Sequence, residues 1–162
     1  MQKLQLKRVI LILITITTLL LLHSPSVLAD GYKEQGLINS RKFDIHNESG
    51  QKIGVTFRNI FNHRITNVYD IAHKKIGFER QSVWSSFKTI IYSYSGKKIG
   101  FKRRHFWSER KQDVFDRAGS KVGTEKQSYF FPRKTDFIGR SSFDIQLEDF
   151  KIQKSQSLRD KK

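Results

Sequence analysis

The sequence contains no cysteine, so the protein can form no disulfide bond and cannot use a thiolate as a nucleophile or metal ligand. Catalytic motifs are also missing: there is no G-x-S-x-G nucleophile turn, no phosphate-binding P-loop, no dinucleotide fingerprint and no H-E-x-x-H zinc motif. The histidines are scattered, without the spacing of metal ligands. We therefore expect a protein that is not an enzyme and that has no catalytic residue, no metal site and no cofactor.

Acidic residues are scarce, with 15 of them against 31 basic residues. The first 29 residues hold three of the basic residues and none of the acidic ones, so the rest of the chain carries 28 minus 15, or +13. Such an excess favours partners rich in negative charge. We expect an anionic lipid or a phosphate-rich polymer as the partner, with an acidic protein as the alternative.

The amino terminus has the three regions of a secretory signal peptide. The uncharged run Val9–Leu22 follows three basic residues, and small residues lead from it to Ala29. Its fourteen residues are fewer than the roughly 20 that a helix needs to span a bilayer. We expect cleavage after Ala29 and a secreted or periplasmic protein, with an uncleaved membrane anchor as the alternative. Export would exclude chromosomal DNA as a partner.

A repeat with a period of 23 residues runs through the rest of the chain. Its clearest mark is a branched residue followed by Gly, first at Ile53-Gly54 and last at Val122-Gly123. A lysine precedes this pair in every copy, at Lys52, Lys75, Lys98 and Lys121. A large aromatic residue comes eight positions after the branched one, at Phe61, Trp84, Trp107 and Phe130. Another branched residue comes eight positions before it, at Ile45, Val68, Ile91 and Val114.

Each copy has the pattern of a β-hairpin. In IIYSYSGKKIGFKRR, residues 90–104, a branched and aromatic run leads into a turn and then into an alternating strand. A fifth, eroded copy runs through Phe137 and Ile145. We expect an all-β fold: an antiparallel meander of four to five hairpins, with eight to ten short strands, forming a small barrel or a curled sheet. Residues 43–150 would form this repeat domain, 30–42 a flexible linker and 151–162 a disordered basic tail.

The glycine repeated inside a strand pattern indicates a β-bulge or a bare spot that a neighbouring side chain covers. The aromatic residue eight positions after the branched one is the candidate cover. The alternative is a glycine that lets a ligand approach the backbone.

Basic residues of the repeat form the candidate site for an anionic ligand. Simple alternation places the repeated lysines on one face of the sheet with Lys102 and Arg104, and the apolar side chains on the other. The densest basic cluster is in the third copy, where Trp107 could stack on a base or sugar or could belong to the core. The predicted site residues are Lys52, Lys75, Lys98, Lys121, Lys102, Arg103, Arg104, Trp107, Arg110 and Lys111. The alternative is that the lysines only keep the sheet soluble.

The repeat resembles the hairpins of the tubby-like families, which include the LURP-one-related proteins and the phospholipid scramblases. The resemblance is carried by an aromatic-Asp pair, a short turn, Lys-branched-Gly and a polar stretch, as in VYDIAHKKIGFERQSVWSS and VFDRAGSKVGTEKQS. It covers residues 43–150 and implies a closed antiparallel barrel around a hydrophobic helix. Because SFDIQLEDF has the alternation of a strand and leads directly into the polar tail, we expect no such helix here. No motif of the family's binding sites is present, so no site residue is carried over.

These features favour an exported, non-enzymatic protein that binds anionic surfaces or polymers through a basic face of the sheet. One alternative is a structural repeat protein that self-assembles or mediates adhesion outside the cell. Another is a secreted effector or inhibitor that docks to an acidic protein.

Overall fold

A computed structural model describes residues 30–159, which form ten β-strands and one α-helix. The signal peptide expected at 1–29 lies outside the described residues. The elements are β1 Gly31–Gln35, β2 Lys42–Asn47, β3 Lys52–Arg58, β4 Ile65–Asp70, β5 Lys75–Gln81, β6 Lys88–Ser93, β7 Lys98–His105, β8 Ser108–Asp116, β9 Lys121–Gln127, β10 Lys134–Gly139 and α1 Ser142–Arg159. The strands form an antiparallel meander that closes into a barrel, which confirms the predicted all-β fold of repeated hairpins.

Strand β1 closes the barrel by pairing with β2 on one side and β10 on the other. Gly31 lies opposite Phe137 of β10 and Asn47 of β2. The prediction of a flexible linker at 30–42 was therefore wrong. The repeat explains why: Gly31 lies 23 residues before Gly54, so β1 occupies the repeat position that β3 occupies in the next copy.

The four hairpins β2–β3, β4–β5, β6–β7 and β8–β9 each contain a β-bulge at the repeated Lys-branched-Gly sequence. The pairing register shifts at Ile45/His46, Val68/Tyr69, Ile91/Tyr92 and Val114/Phe115. A bulge sets two residues of one strand opposite one residue of its partner, so the alternation of side chains changes phase there. In β7, the exposed Lys98 is followed by two buried residues, Ile99 and Gly100.

The repeated glycines face the barrel interior, where neighbouring backbone and the helix cover them. A Cβ atom at Gly77 would lie 2.5 Å from the Tyr92 carbonyl oxygen and 2.9 Å from Gln146 Nε2 of α1. At Gly54 it would meet the ring of Phe143. The bulge was predicted correctly, but the aromatic residue in the same copy is not the cover.

The carboxyl-terminal segment forms α1, contrary to the strand expected in SFDIQLEDF and the disordered tail expected from residue 151. Ser141 caps the helix: its Oγ accepts a hydrogen bond from the Asp144 amide at 3.3 Å, and Asp144 Oδ2 accepts one from the Ser141 amide at 2.8 Å. Apolar residues at Phe143, Leu147 and Phe150 follow the i, i+4, i+7 spacing of a helix and pack against the core. Within residues 30–159, no helix is long and apolar enough to cross a membrane.

The two ends of the barrel differ in their connections. At one end, here called the turn end, short turns join β2–β3, β4–β5, β6–β7 and β8–β9, and α1 packs against the opening. At the other end, here called the loop end, six-residue loops at 36–41, 59–64, 82–87 and 128–133 join the remaining strands, with the two-residue turn Phe106-Trp107 between β7 and β8. Side chains of the core column, such as Ile45, Val68 and Ile91, fill the barrel near the turn end.

Candidate functional site

The loop end carries a ring of exposed apolar side chains. Each of the five described loops has two consecutive large apolar residues at its tip, here called the tip pairs: Leu37-Ile38, Ile60-Phe61, Val83-Trp84, Phe106-Trp107 and Tyr129-Phe130. Phe61, Trp84 and Trp107 are 97, 96 and 92 % exposed. With Phe87 and Phe131, the loops account for twelve of the seventeen exposed large hydrophobic residues of the described chain. An apolar surface concentrated at one end of a barrel is typical of an interaction site.

Hydrogen bonds from inside the barrel hold the loops in place. At one repeat position, three strands carry a glutamine whose Nε2 donates to the carbonyl five residues later in its own loop: Gln35 to Ser40, Gln81 to Ser86 and Gln127 to Pro132. Side chains inside the loops add further bonds to the tips. The Phe61 amide donates to Asn59 Oδ1 at 2.9 Å and the Trp84 amide donates to Ser82 Oγ at 3.3 Å. The tip pairs are therefore exposed on ordered loops.

Arginines surround the tip pairs. Three residues after the second member of the pair, four of the five copies carry an arginine: Arg41, Arg64, Arg110 and Arg133. The four six-residue loops and the Phe106-Trp107 turn contain no Asp or Glu. Arg110 lies over the Tyr129 ring, with its guanidinium carbon 4.3 Å from the ring centroid. The loop end thus combines apolar tips with a belt of positive charge.

The predicted lysine column lies at the opposite end of the barrel. Lys52, Lys75, Lys98 and Lys121 each begin a strand at the turn end. Lys52 and Lys121 form ion pairs with Asp44 and Asp113, at 2.7 and 2.8 Å. Lys75 and Lys98 lie over the rings of Phe78 and Phe101. The column is on the outer surface, but part of its charge is already compensated within the protein.

Lys102 was placed wrongly by sequence reasoning, because it is buried inside the barrel. The bulge after Lys98 reverses the alternation, so Lys102 and Arg104 point inward while Arg103 is exposed. The predicted basic sheet face therefore does not exist as one surface. The cluster of the third copy is divided: Arg103, Trp107 and Arg110 are exposed near the loop end and Lys111 is half-buried there.

Trp107 is neither part of the core nor a cover for glycine, the two structural alternatives. It stands at the tip of the β7–β8 hairpin, where His105 pairs with Ser108. Its ring packs edge-on against Phe106, with the two ring centroids 5.0 Å apart. Trp107 and Arg110 are thus the members of the predicted site that lie in the ring of tips.

An alternating ring of charges occupies the middle of the barrel. One repeat position places Lys33, Thr56, Glu79, Lys102 and Glu125 at the same height on the five odd-numbered strands. Lys102 Nζ lies 2.7 Å from Glu79 Oε2 and 3.3 Å from Glu125 Oε2. Lys33 Nζ lies 2.9 Å from the same Glu125 oxygen, whose neighbour Oε1 accepts a hydrogen bond from Ser142 Oγ at 2.8 Å. This charge ring therefore also anchors the start of α1.

The ion pairs of the charge ring favour the charged forms of Lys102 and Glu125. Burial disfavours the charged form of Lys102, but the attraction of Glu125 and Glu79 outweighs it and raises the pKa of the ammonium. Burial likewise disfavours the Glu125 carboxylate, yet the charges of Lys102 and Lys33 outweigh it and lower its pKa. The ring is structural, and its two lysines and two glutamates cancel in net charge.

The barrel contains a cavity of about 200 Å³ that reaches from the core, past the charge ring, to the loop end, with an apolar part lined by Phe43, Ile45, Val68, Phe137 and Phe143. Arg58, Arg64 and Arg104 line it together with His63. None of these three arginines forms an ion pair with a carboxylate of residues 30–159. Arg104 Nε is buried and has no hydrogen-bond partner in the described part of the chain.

The tip pairs and the charge ring could have been found in the sequence. Both are columns with the same period of 23 residues as the recognised lysine column. Four of the five tip pairs contain a residue of the aromatic column that the sequence pattern favours as glycine cover, whereas Leu37-Ile38 contains none. The charge ring becomes visible in the sequence only when the change of phase at the bulge is applied.

Residues 30–159 contain no group of three or more His, Asp or Glu side chains arranged to hold a metal ion. No protein-family model, curated protein or solved structure matches the chain.

Proposed function

We propose that this protein is exported and binds the surface of anionic membranes through its loop end, without catalysing a reaction. The single observation that carries the proposal is the ring of exposed tip pairs, two apolar residues at the tip of each of the five described loops. The ring replaces the basic sheet face as the binding surface. The apolar area of the tip pairs and the positive charge around them together favour an anionic membrane.

The apolar contribution comes from burying the tips in the region between headgroups and acyl chains. A Phe, Val, Leu or Ile side chain contributes roughly 1.5–3 kcal/mol when it leaves water completely. Four tips carry an aromatic residue as their second member, at Phe61, Trp84, Trp107 and Phe130. Tryptophan suits this depth because its ring is apolar and its N–H can still reach a polar partner. Partial insertion of these rings would contribute on the order of 6 kcal/mol.

The charge at the loop end selects a negative surface. Each basic residue near an anionic bilayer contributes about 1 kcal/mol. Four arginines lie three residues beyond the tips, with Arg41, Arg64 and Arg133 in the loops and Arg110 at the start of β8. Inserted tips would bring them to the level of the headgroups. A purely apolar protein partner would leave these charges without counterparts, so an anionic bilayer fits the loop end better.

The two tryptophans of the chain are both at tips, so intrinsic fluorescence reports on insertion directly. We expect a blue shift of tryptophan emission when the purified protein meets vesicles of phosphatidylcholine and phosphatidylglycerol. Brominated acyl chains should quench the emission. The affinity should fall with added salt because the charge contribution is screened.

The decisive variant is Phe61→Ser with Phe130→Ser, which keeps both tryptophans as fluorescent reporters. We expect it to bind anionic vesicles at least tenfold more weakly. The matched control is Ile71→Ser with Leu158→Ser, which removes apolar residues that are each 59 % exposed away from the loop end. It should bind like the parent protein.

Two results would reject the proposal. The first is no emission shift with anionic vesicles at low salt, accompanied by large assemblies in light scattering, which would favour self-assembly. The second is equal loss of vesicle binding in both double variants, which would mean that the loop end has no special role. A saturable acidic protein partner retained at high salt would favour the effector alternative.

A further inference from the structure

We propose that the barrel cavity at the loop end binds a phosphate group, with Arg58 and Arg104 as its principal ligands. Where the phosphate belongs to a lipid headgroup, this inference rests on the proposed membrane function. The phosphate site is inferred from an observation that does not involve the tip pairs. The cavity is lined by arginines that pair with no carboxylate of residues 30–159.

One repeat position distinguishes these two arginines from the rest of the barrel. Three copies carry glutamine there, and each glutamine bonds to a carbonyl of its own loop. The other two copies carry Arg58 and Arg104, which line the cavity instead. A glutamine at position 58 could serve the six-residue loop 59–64 as its counterparts serve theirs, so that loop does not require arginine. Arg104 precedes the two-residue turn Phe106-Trp107 and has no such loop to bond.

The cavity is positively charged. Five basic residues line it, and one acidic residue does so. Glu79, the acidic one, and the nearby Glu125 are already paired with Lys102 and Lys33. Arg58 and Arg64 are exposed at the open side of the cavity and, like the half-buried Arg104, pair with no carboxylate of residues 30–159. The buried Arg104 Nε still has a hydrogen bond to donate. A guanidinium donates two parallel hydrogen bonds to a phosphate or carboxylate, which makes an oxyanion its natural ligand.

Size and lining restrict the ligand to a small polar group. A volume of about 200 Å³ is below the roughly 300–1,000 Å³ of pockets for drug-sized ligands. Apolar residues such as Ile45 and Phe143 form part of the floor, but polar groups of the charge ring and Gln146, whose Oε1 is buried without a hydrogen-bond partner in the described chain, lie beside them. An acyl chain placed there would leave buried charges and amides without polar contact, which is costly. A phosphate on a short headgroup is small enough for the cavity and can bond to its polar lining.

The test uses soluble probes first. Inorganic phosphate and glycerol 1-phosphate are titrated into the purified protein at low salt by calorimetry. The variant Arg58→Gln with Arg104→Gln introduces the residue that the other copies carry at this position. The matched control, Arg41→Gln with Arg133→Gln, removes the same charge from loop arginines that do not line the cavity. Circular dichroism and thermal unfolding confirm that both variants are folded.

We expect glycerol 1-phosphate to bind the parent protein and the Arg58/Arg104 variant to bind it at least tenfold more weakly. The affinity of the control should stay within about twofold of the parent's, because only the cavity arginines reach the ligand. Arg58→Lys with Arg104→Lys should be intermediate, since lysine keeps the charge but lacks the paired donors. Binding of inorganic phosphate alone would identify the free ion as the source. No binding of either probe, or equal losses in the glutamine variant and its control, would overturn the inference.

A vesicle measurement separates this inference from the proposed function. Phosphatidic acid presents a terminal phosphate and phosphatidylglycerol does not. The cavity variant should lose the preference for phosphatidic acid and keep binding to phosphatidylglycerol, whereas the Phe61/Phe130 variant should lose both. Probe binding without any vesicle binding would refute membrane docking and leave the cavity site standing. If the protein bound vesicles and the Arg58/Arg104 variant behaved like the parent protein, the phosphate site would be refuted and membrane docking would stand.

Discussion

Replacing Lys102 by methionine should destabilise the barrel strongly, because it removes the centre of the charge ring. Lys102 is 4 % exposed and lies within 3.3 Å of two carboxylates. Removing one partner of a buried ion pair costs about 3–5 kcal/mol, since the other charge remains buried. Here Glu79 would lose its lysine, and Glu125 would keep only Lys33. At roughly 4 °C per kcal/mol for a chain of this size, the melting temperature should fall by about 12–20 °C.

The pH dependence of this loss follows from the direction of the pKa shifts. Glu125 has a lowered pKa in the fold, so its stabilisation is present above the ordinary value of 4.5 and is lost as the pH falls below it. Lys102 has a raised pKa, so its stabilisation is present below 10.5 and is lost at higher pH. In the variant, the buried Glu125 has lost one of the two lysines that favour its charged form, so its protonation at low pH relieves the cost of burying that charge. The difference between the two proteins should be largest near pH 7 and should shrink toward pH 4.

Urea unfolding of both proteins at several pH values measures this difference. The matched control is Lys121→Met, because Lys121 is 49 % exposed at its side chain and pairs with Asp113 on the outer surface. An exposed pair contributes at most about 1 kcal/mol. If Lys102→Met cost no more than the control, or if its cost did not change between pH 7 and pH 4, the interpretation of the ring as a buried, fully charged network would be wrong.

Two further predictions concern other parts of the barrel. Gly77→Ala should lower the free energy of unfolding by roughly 1–3 kcal/mol, because its Cβ would press on the Tyr92 carbonyl and on Gln146; an unchanged urea midpoint would contradict the interior packing of the glycine column. Asp113 is partly buried, which disfavours its charge, but hydrogen bonds from Lys121, Thr124 and His105 lower its pKa to about 2. Its stabilisation should therefore be present above pH 3.8 and be lost toward pH 2, so the stability difference from Asp113→Asn should disappear over that range; a constant difference would argue against these bonds.

The errors of sequence analysis had one main physical source. A bulge adds one residue to a strand and reverses the alternation beyond it, and strict alternation therefore put Lys102 and Arg104 outside when they lie inside. The carboxyl-terminal helix was missed for a similar reason. The stretch SFDIQLEDF satisfies the period of a strand and that of a helix, and its capping signal, Ser141 three residues before Asp144, was not used.

The sequence by itself determined the repeat, the hairpin in each copy, the bulge at each glycine and the meander order, because each depends on local spacing and turn chemistry. Only the tertiary structure decided closure, which requires β1 to meet β10 across more than a hundred residues. Because the sheet closes, residues at equivalent repeat positions surround the barrel axis and form rings. One repeat position becomes a neutralised ionic layer inside the barrel, and another becomes a circle of apolar tips at the loop end. The sequence contains both columns, but their inward or outward direction depends on which backbone groups pair across neighbouring strands.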